Sequence, residues 1–143
     1  MSFEKQELAR RCANHLLPRA KMDGLMDIRM LDVGPGYAKL SMVVREDMLN
    51  FYGTAHGGAV FSLADSAFAL ACNTTGFMTV ASGCSIEFLR PSQPGDELTA
   101  VCRLSGDAGK SGIYHTEIFN GDDELVASFT GRAHRTSTPI DLD

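Results

Sequence analysis

The chain has 143 residues, and 13 basic against 18 acidic side chains leave a formal charge of −5. A chain of this size forms one domain and can bury about 68% of its unfolded surface in a core of its own. Apolar residues make up 44% and charged residues 22%, which excludes a wholly disordered chain. With no clustered run of Lys and Arg, the sequence also argues against nucleic acid as the main partner.

Phe3, Leu8, Cys12 and Leu16 recur at roughly helical spacing, with charges on the other faces. Residues 3–17 are therefore read as an amphipathic helix that ends at Pro18. Residues 21–36 carry no clear pattern before the Gly34-Pro35-Gly36 turn. Residues 37–45 alternate: Ala38, Leu40, Met42 and Val44 fall on one face, as in a half-buried strand. A loop with Asn50, Phe51, Tyr52 and Gly53 follows. His56-Gly57-Gly58 then opens a helix over residues 59–73. Val60, Leu63, Ala64, Ala67, Leu70 and Ala71 cover one face of it, and Phe61 and Phe68 widen that face, so the helix is buried.

Four strands follow, over residues 79–89, 97–104, 112–119 and 124–134. Residues 105–109 are read as a turn, and Asn120-Gly121-Asp122-Asp123 is a hairpin signal. The polar tail, residues 136–143, is expected to be flexible. Short connections make neighbouring strands antiparallel. One sheet with one apolar helix is an α+β domain in which the sheet curls around the helix. The whole chain, 1–143, is one domain, with residues 1–20 as its N-terminal helix.

Cys12, Cys72, Cys84 and Cys102 form no Cys-x-x-Cys pair and have no His at zinc spacing. They are read as buried, reduced thiols of a cytoplasmic protein, with no metal site. The first residues are charged and amphipathic, unlike a signal sequence. The apolar run 55–72 is broken by His56, Ser62, Asp65 and Ser66, so no membrane span is expected.

Two features carry chemistry. Asp65 is a carboxylate inside an otherwise apolar helix, so it must be paired, protonated or open to a cavity. A hydrogen-bonded or wet-edge Asp would satisfy the same rule. His56-Gly57-Gly58 stands at the start of the same helix. Two glycines allow a close approach to backbone N–H groups that have no partner within the helix and attract negative charge. That geometry suits the oxyanion formed when a thioester or ester carbonyl is attacked. A plain turn leading into a helix would look the same.

Asn50, His56-Gly57-Gly58, Phe61-Ser62-Leu63-Ala64-Asp65 and Phe88-Leu89-Arg90-Pro91 resemble the hotdog-fold acyl-CoA thioesterases, in particular the phenylacetate-pathway (PaaI-like) branch. The likeness runs from about Asp23 to Arg135. Its pattern, Asn-x5-His-Gly-Gly-x6-Asp, is fairly specific. The resemblance implies a hotdog fold, an antiparallel sheet wrapped around one long central helix. It implies Asp65 as nucleophile or general base and the Gly57 N–H as the donor that polarises the carbonyl. It implies His56 and Asn50 as supports of the carbonyl side, with Gly58 beside the substrate and Ser82 holding the attacking water. Sites in such proteins lie between two subunits, with Asp65 of one facing Gly57 of the other, in dimers that commonly pair into tetramers.

Coenzyme A enters only as part of the substrate, with no separate cofactor, and Arg90 and Arg135 are read as contacts to its phosphates. The loop departs from the branch at Phe51 and Tyr52, where smaller, more polar residues are usual. These two aromatics line an acyl pocket or a subunit contact. The leading reading is hydrolysis of an aromatic or medium-chain acyl-CoA. Two others stay open: a hydroxyacyl-thioester dehydratase, and an acyl-CoA-binding sensor without turnover.

Overall fold

A computed structural model describes residues 2–142. Ser2 caps the first helix, α1 (Phe3–Leu16), by accepting the Lys5 N–H at 3.2 Å, as a short hydroxyl side chain does at this position. Pro18 sits in a single 3-10 turn, Leu17–Arg19, where its missing N–H breaks no helical bond. A short α2 (Lys21–Leu25) leads into β1 (Arg29–Gly34) and β2 (Tyr37–Val43). The long α3 (Gly57–Cys72) follows. Then come β3 (Phe77–Phe88), β4 (Glu97–Ala108), β5 (Ser111–Phe119) and β6 (Leu125–Pro139).

The six strands form one antiparallel sheet in the order β1-β2-β4-β5-β6-β3. α3 lies across it, packed against β2, β3, β4, β5 and β6. The core is the seam between them. Ala38, Leu40, Met42, Leu98, Ala100, Cys102, Ile118, Val126 and Phe129 point inward from the strands, and Leu63, Ala64, Ala67 and Phe68 meet them from α3. Each large apolar side chain buried there contributes about 1.5–3 kcal/mol. The Phe68 ring is 5.7 Å from that of Phe129 and 5.6 Å from that of Tyr114. It lies so close to β6 that a Cβ on Gly131 would stand 2.8 Å from the ring. Glycine is required there for packing.

The structure differs from the sequence reading in four places. β1 is a strand where no pattern was seen, because an edge strand with a register shift between Met30 and Asp32 shows no clean alternation. Residues 105–108 continue β4. A bulge between Leu104 and Gly106 absorbs the turn-forming residues, and the chain reverses at Gly109, whose φ is +63°. β6 runs on to Pro139, into the stretch expected to be flexible. Pro139 pairs with Phe77, the Thr136 hydroxyl donates to the Met78 carbonyl at 2.6 Å, and the Ile140 N–H donates to the Gly76 carbonyl at 2.8 Å. Finally, Cys84 is exposed, unlike Cys12, Cys72 and Cys102. It stands on β3, a strand at the sheet edge. None of the four is in a disulfide. Among the described residues no helix is long and apolar enough to cross a membrane.

Candidate active site

The N-terminus of α3 is held by its own cap. His56 is extended (φ −60°, ψ 134°), and its ring Nδ1 accepts the Gly58 N–H at 2.8 Å. With Nδ1 accepting, Nε2 is the ring nitrogen left to donate. The His56 carbonyl accepts from Ala59 and Val60. Of the first N–H groups of α3, that of Gly57 meets no acceptor among the described residues. It is also the group at the positive end of the helix dipole. The Phe88 ring closes over Gly57: a Cβ there would stand 3.3 Å from Phe88 Cζ. Gly58, expected beside the substrate, spends its N–H on His56.

Gly57 lines a cleft of about 300 Å³ together with Asn50, Val60, Phe88, Arg90 and Ser92. Asn50 is there chiefly as a brace. Its side-chain oxygen accepts the N–H groups of Tyr52 (2.9 Å) and Thr54 (3.2 Å), and its amide nitrogen donates to the Thr54 hydroxyl at 3.0 Å. Those bonds close the loop that delivers His56. Arg90 forms an ion pair with Glu124 at 3.6 Å on the rim. Phe51 and Tyr52 stand at the loop tip, 90% and 82% exposed, edge to face at 4.6 Å. They line neither this cleft nor that of Asp65.

Asp65 stands eight residues further along α3, about 12 Å along the axis at 1.5 Å per residue. It opens onto a different cleft, of about 560 Å³, walled by Leu16, Leu17, Ala69, Leu70, Met78 and Val80. The same cleft carries His15, Arg19 and Asp23. Burial, and then the charge of Asp23, push the Asp65 carboxyl above its ordinary value. Asp65 forms no ion pair among the described residues. Its charge reaches Cys84 on β3, whose thiol is pushed up by burial first and by Asp65 second. Met78, Thr79 and Val80 of that edge strand line the same cleft as Asp65. Ser82, on the same strand, is tied to β6: its hydroxyl donates to the Arg132 carbonyl and accepts from Arg132 Nε, both at 3.1 Å. Arg135 lies in a third cleft, of about 340 Å³, with Lys5, Lys110, Cys72 and Tyr114. Among the described residues no cluster of His, Cys, Asp and Glu could hold a metal ion.

An activated helix N-terminus and a half-buried carboxylate thus occur on one helix, in two clefts that one chain does not join. The family model for the thioesterase superfamily matches residues 52–127, rather more than half of the chain and the whole of this helix. The chain belongs to the thioesterase superfamily. It is a thioester hydrolase with the hotdog fold, of the PaaI-like kind that its motifs resemble. Over 115 residues it is 44% identical to the acyl-coenzyme A thioesterase PaaI of Escherichia coli, covering 80% of this chain and 82% of that protein. The structure of E. coli PaaI superposes with a TM-score of 0.92 at 38% identity, covering 95% of this chain and 99% of that one. A Streptococcus mutans protein bound to acetyl-CoA matches with a TM-score of 0.75 at 28% identity, over 79% of this chain and 91% of that chain.

Nothing in the sequence marks residues 15–23 as part of the Asp65 cleft. His15, Arg19 and Asp23 sit more than 40 residues before Asp65, and neither spacing nor composition links them to it. Only the fold brings them there, into one cleft with α3, with Ser66 of α3 donating to Asp23 of α2.

Proposed function

We propose that two copies of this chain together hydrolyse acyl-CoA thioesters, with Asp65 of one copy and the Gly57 N–H of the other on the same carbonyl group. The observation that carries this reading is the separation of Gly57 and Asp65 into different clefts. One thioester carbon cannot touch both within a chain, yet each has the character that the other lacks. The exposed edge of β3 supports a second copy. It runs for 12 residues with one side unpaired, and exposes Phe77, Met78, Val80 and Phe88. Unpaired apolar edges of that length are usually covered. Two β3 strands paired antiparallel would carry the Phe88 end of one, beside Gly57, toward the Met78 end of the other, beside Asp65.

In the reaction the carboxylate of Asp65 either deprotonates a water or attacks the carbonyl carbon itself. The carbonyl oxygen takes up negative charge against the Gly57 N–H and the N-terminus of α3. The C–S bond then breaks and the coenzyme A sulfur takes a proton; where water attacked, it has supplied the hydroxyl of the acid, and where Asp65 attacked, water then hydrolyses the acyl–Asp65 anhydride and frees the carboxylate. Burial makes Asp65 a stronger base than a solvated carboxylate, which suits either role. The apolar walls of the Asp65 cleft fit an aromatic or medium-length acyl group. Arg90, at the rim of the Gly57 cleft, is placed for a phosphate of coenzyme A, whereas Arg135 opens onto another cleft.

The test is free-thiol release from a panel of aromatic and aliphatic acyl-CoAs by the parent protein and Asp65→Asn side by side. Fast release by the parent, lost in the variant, is the expected result. Saturable binding with no thiol release would leave a sensor instead.

A further inference from the structure

We propose that Asp23 sets the proton affinity of Asp65, because α2 places a second carboxylate in the Asp65 cleft and Ser66 holds it there. The inference rests on the reading of Asp65 as the reacting carboxylate.

Asp23 lies in the first turn of α2, and its carboxylate accepts the Ser66 hydroxyl at 2.7 Å. Ser66 is the next residue after Asp65, so this bond fixes Asp23 against the same turn of α3. Both carboxylates line one cleft. The Asp23 backbone is fixed as well, since its carbonyl accepts the Ile28 N–H at 2.9 Å.

The charged and titratable groups of the cleft come from every element packed around it. His15 comes from α1, Arg19 from the 3-10 turn and Asp141 from the C-terminal segment, with Cys84 on β3 within reach of the Asp65 charge. Arg19 donates to the His15 carbonyl at 2.6 Å and forms no ion pair with Asp23 or Asp65 among the described residues. A like charge in the same half-buried cleft disfavours the charged form of Asp65. The bond from Ser66 holds the Asp23 carboxylate on the wall of the cleft that Asp65 shares. After burial, the Asp23 charge is the second cause of the upward displacement of Asp65. Asp23 acts through Asp65 and is a positioning residue; nothing requires it to touch the substrate.

A plain tether between α2 and α3 would use the same Asp23–Ser66 bond, and Asp23→Asn separates the two roles. The asparagine oxygen still accepts from Ser66 but carries no charge. The measurement is the titration of the Asp65 side chain by carbon NMR of its carboxyl, together with the pH dependence of kcat. In Asp23→Asn the midpoint of Asp65 and the acidic limb of kcat move to lower pH, while Asp23→Glu, which keeps the charge, holds them near the parent values. A midpoint unmoved in Asp23→Asn overturns the proposal, as does a Glu variant that falls as far as the Asn variant. The NMR titration needs no turnover. A parent protein that releases no thiol would therefore sink the functional reading while the role of Asp23 is still decided.

Discussion

The Phe88 ring covers Gly57 so closely that a methyl group on Gly57 would stand 3.3 Å from Phe88 Cζ. β3 and the N-terminus of α3 are therefore fitted to each other, and the Gly57 N–H, which meets no acceptor among the described residues, is aimed by that fit. Gly57→Ala keeps the N–H but displaces the ring or the backbone. A methyl at that distance asks the end of the ring to give by a few tenths of an ångström, short of the 1 Å misplacement that costs about 100-fold. The expected result is a fall in kcat of about 10-fold, with part of it returned when Phe88→Leu is added. Steady-state kinetics on the single and double variants check it.

Asp65→Asn separates stability from activity. Turnover is expected to fall by about 100- to 10,000-fold, the usual share of a positioned acid or base. Stability should move the other way. The carboxyl is pushed up by burial and by Asp23, so the folded state favours its protonated form. That favourable contribution is complete below the ordinary carboxylate range and is lost as pH rises through the folded value. The variant should then melt higher than the parent at pH 7, with the gap closing toward pH 3. Thermal melts across that range check it, and a variant that melts lower at pH 7 contradicts the cause given for the shift.

Asn50 and its neighbour Phe51 should behave in opposite ways. Side-chain bonds of Asn50 to Tyr52, Thr54 and Ala55 close the loop before His56, while Phe51 is 90% exposed at its tip. Asn50→Ala is expected to lose about 1–3 kcal/mol, since the backbone donators it served are left without partners. Phe51→Ala should stay within about 0.5 kcal/mol in the isolated chain. Denaturant unfolding of both variants, monitored at equal protein concentration, checks the contrast.

Much of this molecule can be read from local pattern. The alternation of Ala38, Leu40, Met42 and Val44 and the apolar faces of α3 depend only on period, and the structure buries those residues. The motif around Asn50, His56, Gly57 and Asp65 is local too, so its placement at the start and in the middle of one helix was foreseeable. What local pattern does not carry is anything decided by distant pairing. β6 is kept in register to Pro139 by β3, some 60 residues earlier in the chain, although Thr136, Ser137 and Thr138 look like a loose tail. Cys84 is apolar in its sequence setting but exposed because β3 is an edge. Asp23 reaches Asp65 only because α2 folds back on α3. The division of Gly57 and Asp65 between two clefts is likewise invisible in a motif that lists them eight residues apart.

That division leads to the most direct measurement. Two variants, Asp65→Asn and Gly57→Ala, are each impaired in every site of their own homodimer. In a two-fold dimer that combines one of each, one site draws Asp65 and Gly57 from unaltered positions and the other has both changed. After unfolding and refolding of an equal mixture, about half of the dimers are mixed, so thiol release should recover to about a quarter of the parent rate. Activity that stays at the average of the two separate variants would contradict a site shared between copies.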